Sequence, residues 1–112
     1  MKKLNFKNKN VLVFGLGILG GGVATTNWLL RQGARITITD LKNKSQLRES
    51  LKRIKGKYRL SLGGHKKSDI DANEIIVANP DVSIENEFIE YARSKGKIIV
   101  NEASVFFENF KK

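Results

Sequence analysis

Cysteine is absent from this 112-residue chain, so disulfides and thiolate metal sites play no part in its chemistry. Histidine occurs once, as His65, and proline once, as Pro80. No nucleophile–base pair stands out around that lone histidine, which reads more readily as a turn or hydrogen-bonding residue than as a catalyst. Long apolar runs are missing as well. The run Val11–Phe14 is typical, far short of the roughly 20 residues that span a bilayer, so no membrane span is expected. Basic residues open the chain at Lys2, Lys3 and Lys7, but no apolar core follows before Gly15. A signal peptide is therefore not expected and a cytoplasmic location is. The two Gly-Lys pairs, Gly56-Lys57 and Gly96-Lys97, are not followed by Ser or Thr, which excludes a Walker A loop from these residues.

Acidic residues are also scarce. Eleven Asp and Glu stand against 21 Lys and Arg, a formal net charge of +10. Eight of those bases fall between Lys42 and Arg59, where Glu49 is the one acid. Such a patch attracts polyanions in a salt-dependent way. It carries no nucleic-acid-binding motif, so it reads as a solvated basic face, and nucleic acid is not an expected partner. Asp69, Asp71 and Glu74 cluster without a histidine or a second ligand set and read as a solvated loop; no metal site is expected.

What is present is an alternation of strands and helices, without repeats or a low-complexity linker. The apolar run 10–14 ends in glycine, as suits a strand buried on both faces. A helical pattern runs from Gly20 to Gln32 and stops at Gly33. Arg35–Asp40 alternates β-branched residues, a second strand. Ser45 is placed to cap a helix carrying Leu47, Leu51 and Ile54. Strands follow at 58–62, 74–78 and 97–101, with a helix opened by Ser83 or Glu85 before the last and a short helix over 103–110 after it. The pattern predicts one α/β domain over 1–112, a Rossmann-like open parallel sheet of about five strands with helices on both faces. In such a sheet the ligand crevice lies at the carboxyl ends of the strands, at 15–22, 40–41, 63–65, 79–83 and 101–102.

One of those ends carries chemistry. Gly15-Leu16-Gly17-Ile18-Leu19-Gly20 fits G-x-G-x-x-G between a strand and a helix. The first glycine makes the tight turn, the second admits a diphosphate to the backbone, and the third lets helix and strand pack closely. The helix N-terminus then offers free N–H groups and partial positive charge. Asp40 lies 20 residues beyond Gly20, at the end of the second strand, where an acid that reads a ribose or a base belongs. Gly21 and Gly22 are extra and weaken the first helical turn by roughly 1 kcal/mol each relative to alanine.

Four ordered blocks add to the glycine motif: Val11–Gly20, Gly33–Lys42, Leu62-Gly-Gly-His65 and Ile76–Ser83. Together, from about Asn10 to Phe107, they resemble the N-terminal domain of the Mur ligases, above all the members that add D-glutamate. The resemblance implies the first of three domains in an enzyme of peptidoglycan synthesis. It implies binding of the UDP moiety of UDP-N-acetylmuramoyl-L-alanine by this chain, without a catalytic residue or a cofactor of its own. ATP and magnesium belong to the central domain of the full-length enzyme, and the remaining domains are its implied partners; the isolated chain is expected to bind but not to ligate. Carried over by position, the resemblance puts the diphosphate at Gly15, Gly17, Ile18, Leu19 and Gly20, and the uracil beside Asp40 and Leu41. Asn79, Pro80 and Asp81 close the other side. The family commonly has Ser-Pro-Gly where this chain has Asn79-Pro80-Asp81, so an extra carboxylate stands near an anionic ligand. The run Gly20–Gly22 is a second departure. The same glycines and Asp40 also suit an NAD-binding regulatory module, which remains the alternative; the Leu62–His65 and Asn79-Pro80 blocks favour the ligase.

Overall fold

The computed structural model of the chain describes residues 4–17, 20–82 and 86–105. Among these, strands β1 (Asn10–Phe14), β2 (Arg35–Asp40), β3 (Tyr58–Leu62), β4 (Ile75–Ala78) and β5 (Ile98–Asn101) alternate with helices. The helices are α1 (Gly21–Arg31), α2 (Arg48–Lys52), α3 (Lys67–Asp71) and α4 (Glu87–Ser94). All strand pairings are parallel, in the order β3-β2-β1-β4-β5. The expected Rossmann-like open sheet of five strands is the fold found. No helix among the described residues is long and apolar enough to cross a membrane.

The period of two along each strand explains why both faces are covered. Val11 and Val13 join Ile36, Ile38, Ile75 and Val77 on one face, under Val23, Trp28 and Leu29 of α1. Leu12, Phe14 and Ile76 turn to the other face and pack on Ile70 of α3 and Ile89 and Ala92 of α4. Phe6 meets Trp28 edge to face at 5.7 Å, closing the first layer near the chain start.

Local chemistry moves several boundaries. The turn leading into α2 is capped by Asn43 rather than Ser45. Asn43 Oδ1 accepts from the Gln46 N–H at 2.9 Å, and Gln46 Oε1 accepts from the Asn43 N–H at 2.9 Å, a reciprocal capping box. The regular helix then starts at Arg48. Asp69 and Asp71, read as loop, lie on α3, whose one buried residue is Ile70; a single apolar anchor is too little for periodicity to show. Asn86 caps α4 through the Phe88 N–H; Ser83 and Glu85 lie outside the described residues. Residues 102–105 are helical, and 106–110 of the expected last helix are likewise outside.

Chain order reverses beside β1, which lies between β2 and β4. The connections leaving the carboxyl ends of β1 and β4 therefore run to opposite faces of the sheet, toward α1 and α4, and leave a crevice between them. The close approach of α1 to the turn after β1 falls on Gly22, not on Gly20 as the motif suggested. A Cβ on Gly22 would stand 1.8 Å from the Leu16 carbonyl oxygen, whereas one on Gly20 would meet nothing within 4 Å. Gly20 is needed for its backbone, since φ is +97° where it caps α1. Gly22→Ala is expected to cost about 3 kcal/mol or more by forcing α1 off the turn. Gly20→Ala should cost about 1–2 kcal/mol from left-handed strain alone. Urea unfolding of the two variants checks the ranking, and equal losses would refute it.

Candidate functional site

The turn after β1 is held by side chains from three other places in the chain. Asp40 Oδ2 accepts from the N–H groups of Leu16 at 2.9 Å and Gly17 at 3.4 Å, and its Oδ1 accepts from Lys42 at 2.9 Å. Asn79 Nδ2 donates to the Gly15 carbonyl at 3.4 Å, and Ser50 Oγ donates to the Gly17 carbonyl at 3.3 Å. The backbone of β1 and β2 continues this through Gly15 N–H to Thr39 O at 2.8 Å. Asp40 is only 7% exposed, so its first task is structural: it satisfies donors that the tight turn would otherwise bury unpaired.

Above the turn, α1 begins with no side-chain cap and no acid in its first turn. Its leading N–H groups have no intrahelical acceptors, and the helix dipole adds partial positive charge there. A cleft of about 480 Å³ opens at this end, lined by Leu16, Gly17, Gly21, Gly22 and Lys42, with Asn79, Pro80, Asp81 and Glu102 opposite. Asn79–Val82 forms its far wall as a turn. Val82 N–H bonds Asn79 O, Asp81 N–H bonds Asn79 Oδ1, and Pro80 stands second in the turn. A slightly larger hollow of about 530 Å³ lies at the other end of the sheet, among Arg31, Arg35, Lys55, Lys57 and Arg59. Its lining comes from strand starts and a helix end, so the switch-point cleft is the better site despite its smaller volume. All eight bases of the 42–59 patch are exposed.

Two groups near the cleft titrate away from their ordinary range. His65 stacks on Phe14 at 3.9 Å, shares a 2.8 Å hydrogen bond with the Thr39 hydroxyl through Nδ1, and meets the edge of Phe88. Burial holds its pKa below 6.5, partly opposed by the charges of Asp40 and Asp69. Glu102 follows β5, and its pKa is raised above 4.5, chiefly by burial and further by Asp81 across the cleft. Thr25 on α1 works the other way.

Of the residues expected at the site, Gly17, Asn79, Pro80 and Asp81 share the cleft. Gly15 lies beneath it against Asn79, Gly20 caps α1, and Asp40 supports the turn from below. Leu41 does not line the cleft but stands beside it, 72% exposed. Ile18 and Leu19 fall outside the described residues. Sequence reasoning missed Ser50 and Lys42 as parts of the site, and placed Glu102 at the crevice without giving it a role. Nothing in their local pattern marks them, although residues 101–102 were expected at a strand end.

The model of the family "Mur ligase MurD-like, N-terminal domain" matches residues 9–101. A UDP-N-acetylmuramoylalanine–D-glutamate ligase of Roseiflexus sp. (strain RS-1) is 38% identical over 93% of this chain and 22% of its own. The protein of that name from Borreliella afzelii (strain PKo) is 40% identical over 83% of this chain and 21% of its own. The one from Treponema pallidum (strain Nichols) is 35% identical over 89% and 19%. The chain thus spans about a fifth of the length of these relatives. Among solved structures, a pseudomurein peptide ligase type C from Methanothermus fervidus matches with TM-score 0.67 at 21% identity, over 94% of this chain and 21% of that one. The precorrin-2 dehydrogenase SirC matches with TM-score 0.60 at 18% identity, over 88% and 47%. At those identities the structural likeness concerns the fold.

Two outcomes are expected of the supporting residues. Asp40→Asn keeps one acceptor oxygen and turns an amide nitrogen toward one set of backbone donors, so stability should fall by about 1.5–3 kcal/mol. Chemical denaturation measures it, and an unchanged midpoint would remove Asp40 from the role assigned above. For His65 the folded pKa lies below the unfolded one. Its contribution is complete above the ordinary value and declines as pH falls through it, because the unfolded chain takes up the proton first. Between about pH 7.5 and 5.5 the wild type should lose more stability than His65→Gln. Parallel losses in the two proteins would refute this.

Proposed function

The chain belongs to the Mur ligase family, as a MurD-like N-terminal domain, and from that membership we propose that it binds the uridine diphosphate end of UDP-N-acetylmuramoyl-L-alanine. One observation carries this reading beyond the family: the uncapped, acid-free start of α1 opens into the cleft at the switch point, with Gly17 beside it. A diphosphate there accepts from backbone N–H groups and faces the Lys42 side of the cleft. The exposed Leu41 offers an apolar surface to one face of the base. Among the described residues, Asp40 Oδ1 accepts a single backbone N–H, which leaves one lone pair for the N3–H of uracil.

The reading assigns the chain a substrate-holding role within a longer ligase. ATP and magnesium are then held by residues beyond these 112, in keeping with the missing Gly-Lys-Ser/Thr loop. The residues here supply no acid, base or nucleophile to the reaction. They fix the nucleotide, and with it the direction in which the muramoyl peptide leaves the cleft.

Calorimetric titration with UDP and with NAD tests the proposal. UDP is expected to bind the chain, and NAD is not. Gly17→Val should abolish UDP binding, because a side chain at φ +75° would strain the turn and stand 3.1 Å from Asn79 Nδ2. Binding of NAD alone would overturn the ligase-substrate reading. Full UDP affinity in a folded Gly17→Val protein would move the site elsewhere.

A further inference from the structure

We propose that Glu102 is a proton-controlled gate on this cleft: ionised, it stands beside the first turn of α1 and opposes a diphosphate; protonated, it admits one. The inference rests on the reading of the cleft as a diphosphate site. Its basis is placement. The Glu102 carboxylate lies against the first residue of α1, where a Cβ built on Gly21 would stand 3.3 Å from Oε1 and 3.5 Å from Oε2. Any side chain at Gly21 would crowd this carboxylate, so the glycine that the dinucleotide motif does not need has a local reason. Oε1 is buried and has no hydrogen-bond partner among the described residues, and neither has the Thr25 hydroxyl. That oxygen therefore lies beside the first turn of α1, near Gly21 and Thr25, without a well-formed hydrogen bond to hold it among the described residues.

Among the described residues, the charged groups around it are few. Asp81 faces it from the β4–α4 connection and Lys42 from the β2–α2 connection, while the first turn of α1 carries no acid. Residue 81 and residue 102 thus place two carboxylates against one lysine in a cleft that must take two phosphate charges. Burial favours the protonated form of Glu102, Thr25 opposes it, and Asp81 adds to it, with the balance on the protonated side. An incoming diphosphate favours it further, and a protonated carboxyl becomes a donor to a phosphate oxygen. Binding is then linked to uptake of one proton, and affinity rises as pH falls toward the Glu102 pKa.

Calorimetry with UDP-N-acetylglucosamine and ADP-glucose, whose diphosphates do not titrate near neutrality, provides the test. Wild type should bind UDP-N-acetylglucosamine more tightly as pH drops from about 8 to 5.5, with proton uptake visible in buffers of different ionisation heat. Glu102→Gln should bind about tenfold more tightly at the higher pH, one pK unit of coupling, and lose most of the dependence. His65 is present in both proteins, so the difference between them isolates Glu102. Thermal unfolding confirms that the near-isosteric variant is folded, and Asp81→Asn should relax the pH dependence in part. An unchanged pH profile in Glu102→Gln, or weaker binding at every pH, would overturn the gate. Equal affinity for both nucleotides with the gate intact would overturn only the uracil assignment. No binding of either nucleotide to either protein would overturn the diphosphate site and the gate with it.

Discussion

A single buried carboxylate sets the geometry on which the rest of the site depends. Asp40 ends β2, yet its two oxygens gather N–H groups from the turn after β1 and from its own connection to α2. Without it, Leu16 and Gly17 would turn their N–H groups toward a dry interior, at a cost of about 1–3 kcal/mol for each one left unpaired. With it, the Leu16 carbonyl is aimed at α1 so closely that only a glycine fits at position 22. That contact fixes where α1 begins, and the start of α1 is one wall of the cleft. Sheet register, turn and helix direction are thus linked through one side chain.

How far this was legible in the sequence follows from the range of each interaction. Strands buried on both faces show themselves as short apolar runs, and all five appear close to where they were read. The glycine motif located the turn, but its conventional roles misassigned the packing glycine. The choice between Gly20 and Gly22 depends on where the helix axis falls, a tertiary quantity absent from local spacing. Helix α3 escaped because one apolar residue, Ile70, anchors it. The Asn43–Gln46 box was visible in principle, but Ser45 is an equally good cap by type. Lys42 and Glu102 reach the cleft, and Ser50 the turn beside it, from segments far apart in the chain, and only the parallel order of the strands brings them together.

The charge distribution separates attraction from recognition. The net charge of +10 and the exposed bases of 42–59 draw anions toward the molecule at long range, in a manner that salt screens. Inside the cleft the balance differs, with Lys42 opposed by Asp81 and Glu102. Selectivity for a bound anion therefore rests on directed backbone N–H groups and the helix end, whose partial charges are fixed by the fold and not by side-chain conformers.

That division constrains how such a site can change. The turn, Asp40 and Gly22 are shared by fold and cleft, so altering them costs stability before it alters specificity. Leu41, Asp81 and Glu102 carry no comparable burden. Leu41 is exposed, the turn at Asp81 is held through its backbone N–H, and Glu102 has an oxygen without a well-formed hydrogen bond among the described residues. Substitutions at these three positions can alter the apolar surface beside the cleft and the charge within it, while the packing of β1 against α1 stays as it is. The freedom to vary the cleft therefore lies at the rim contributed by the ends of β2, β4 and β5, and its rigidity lies at the end of β1.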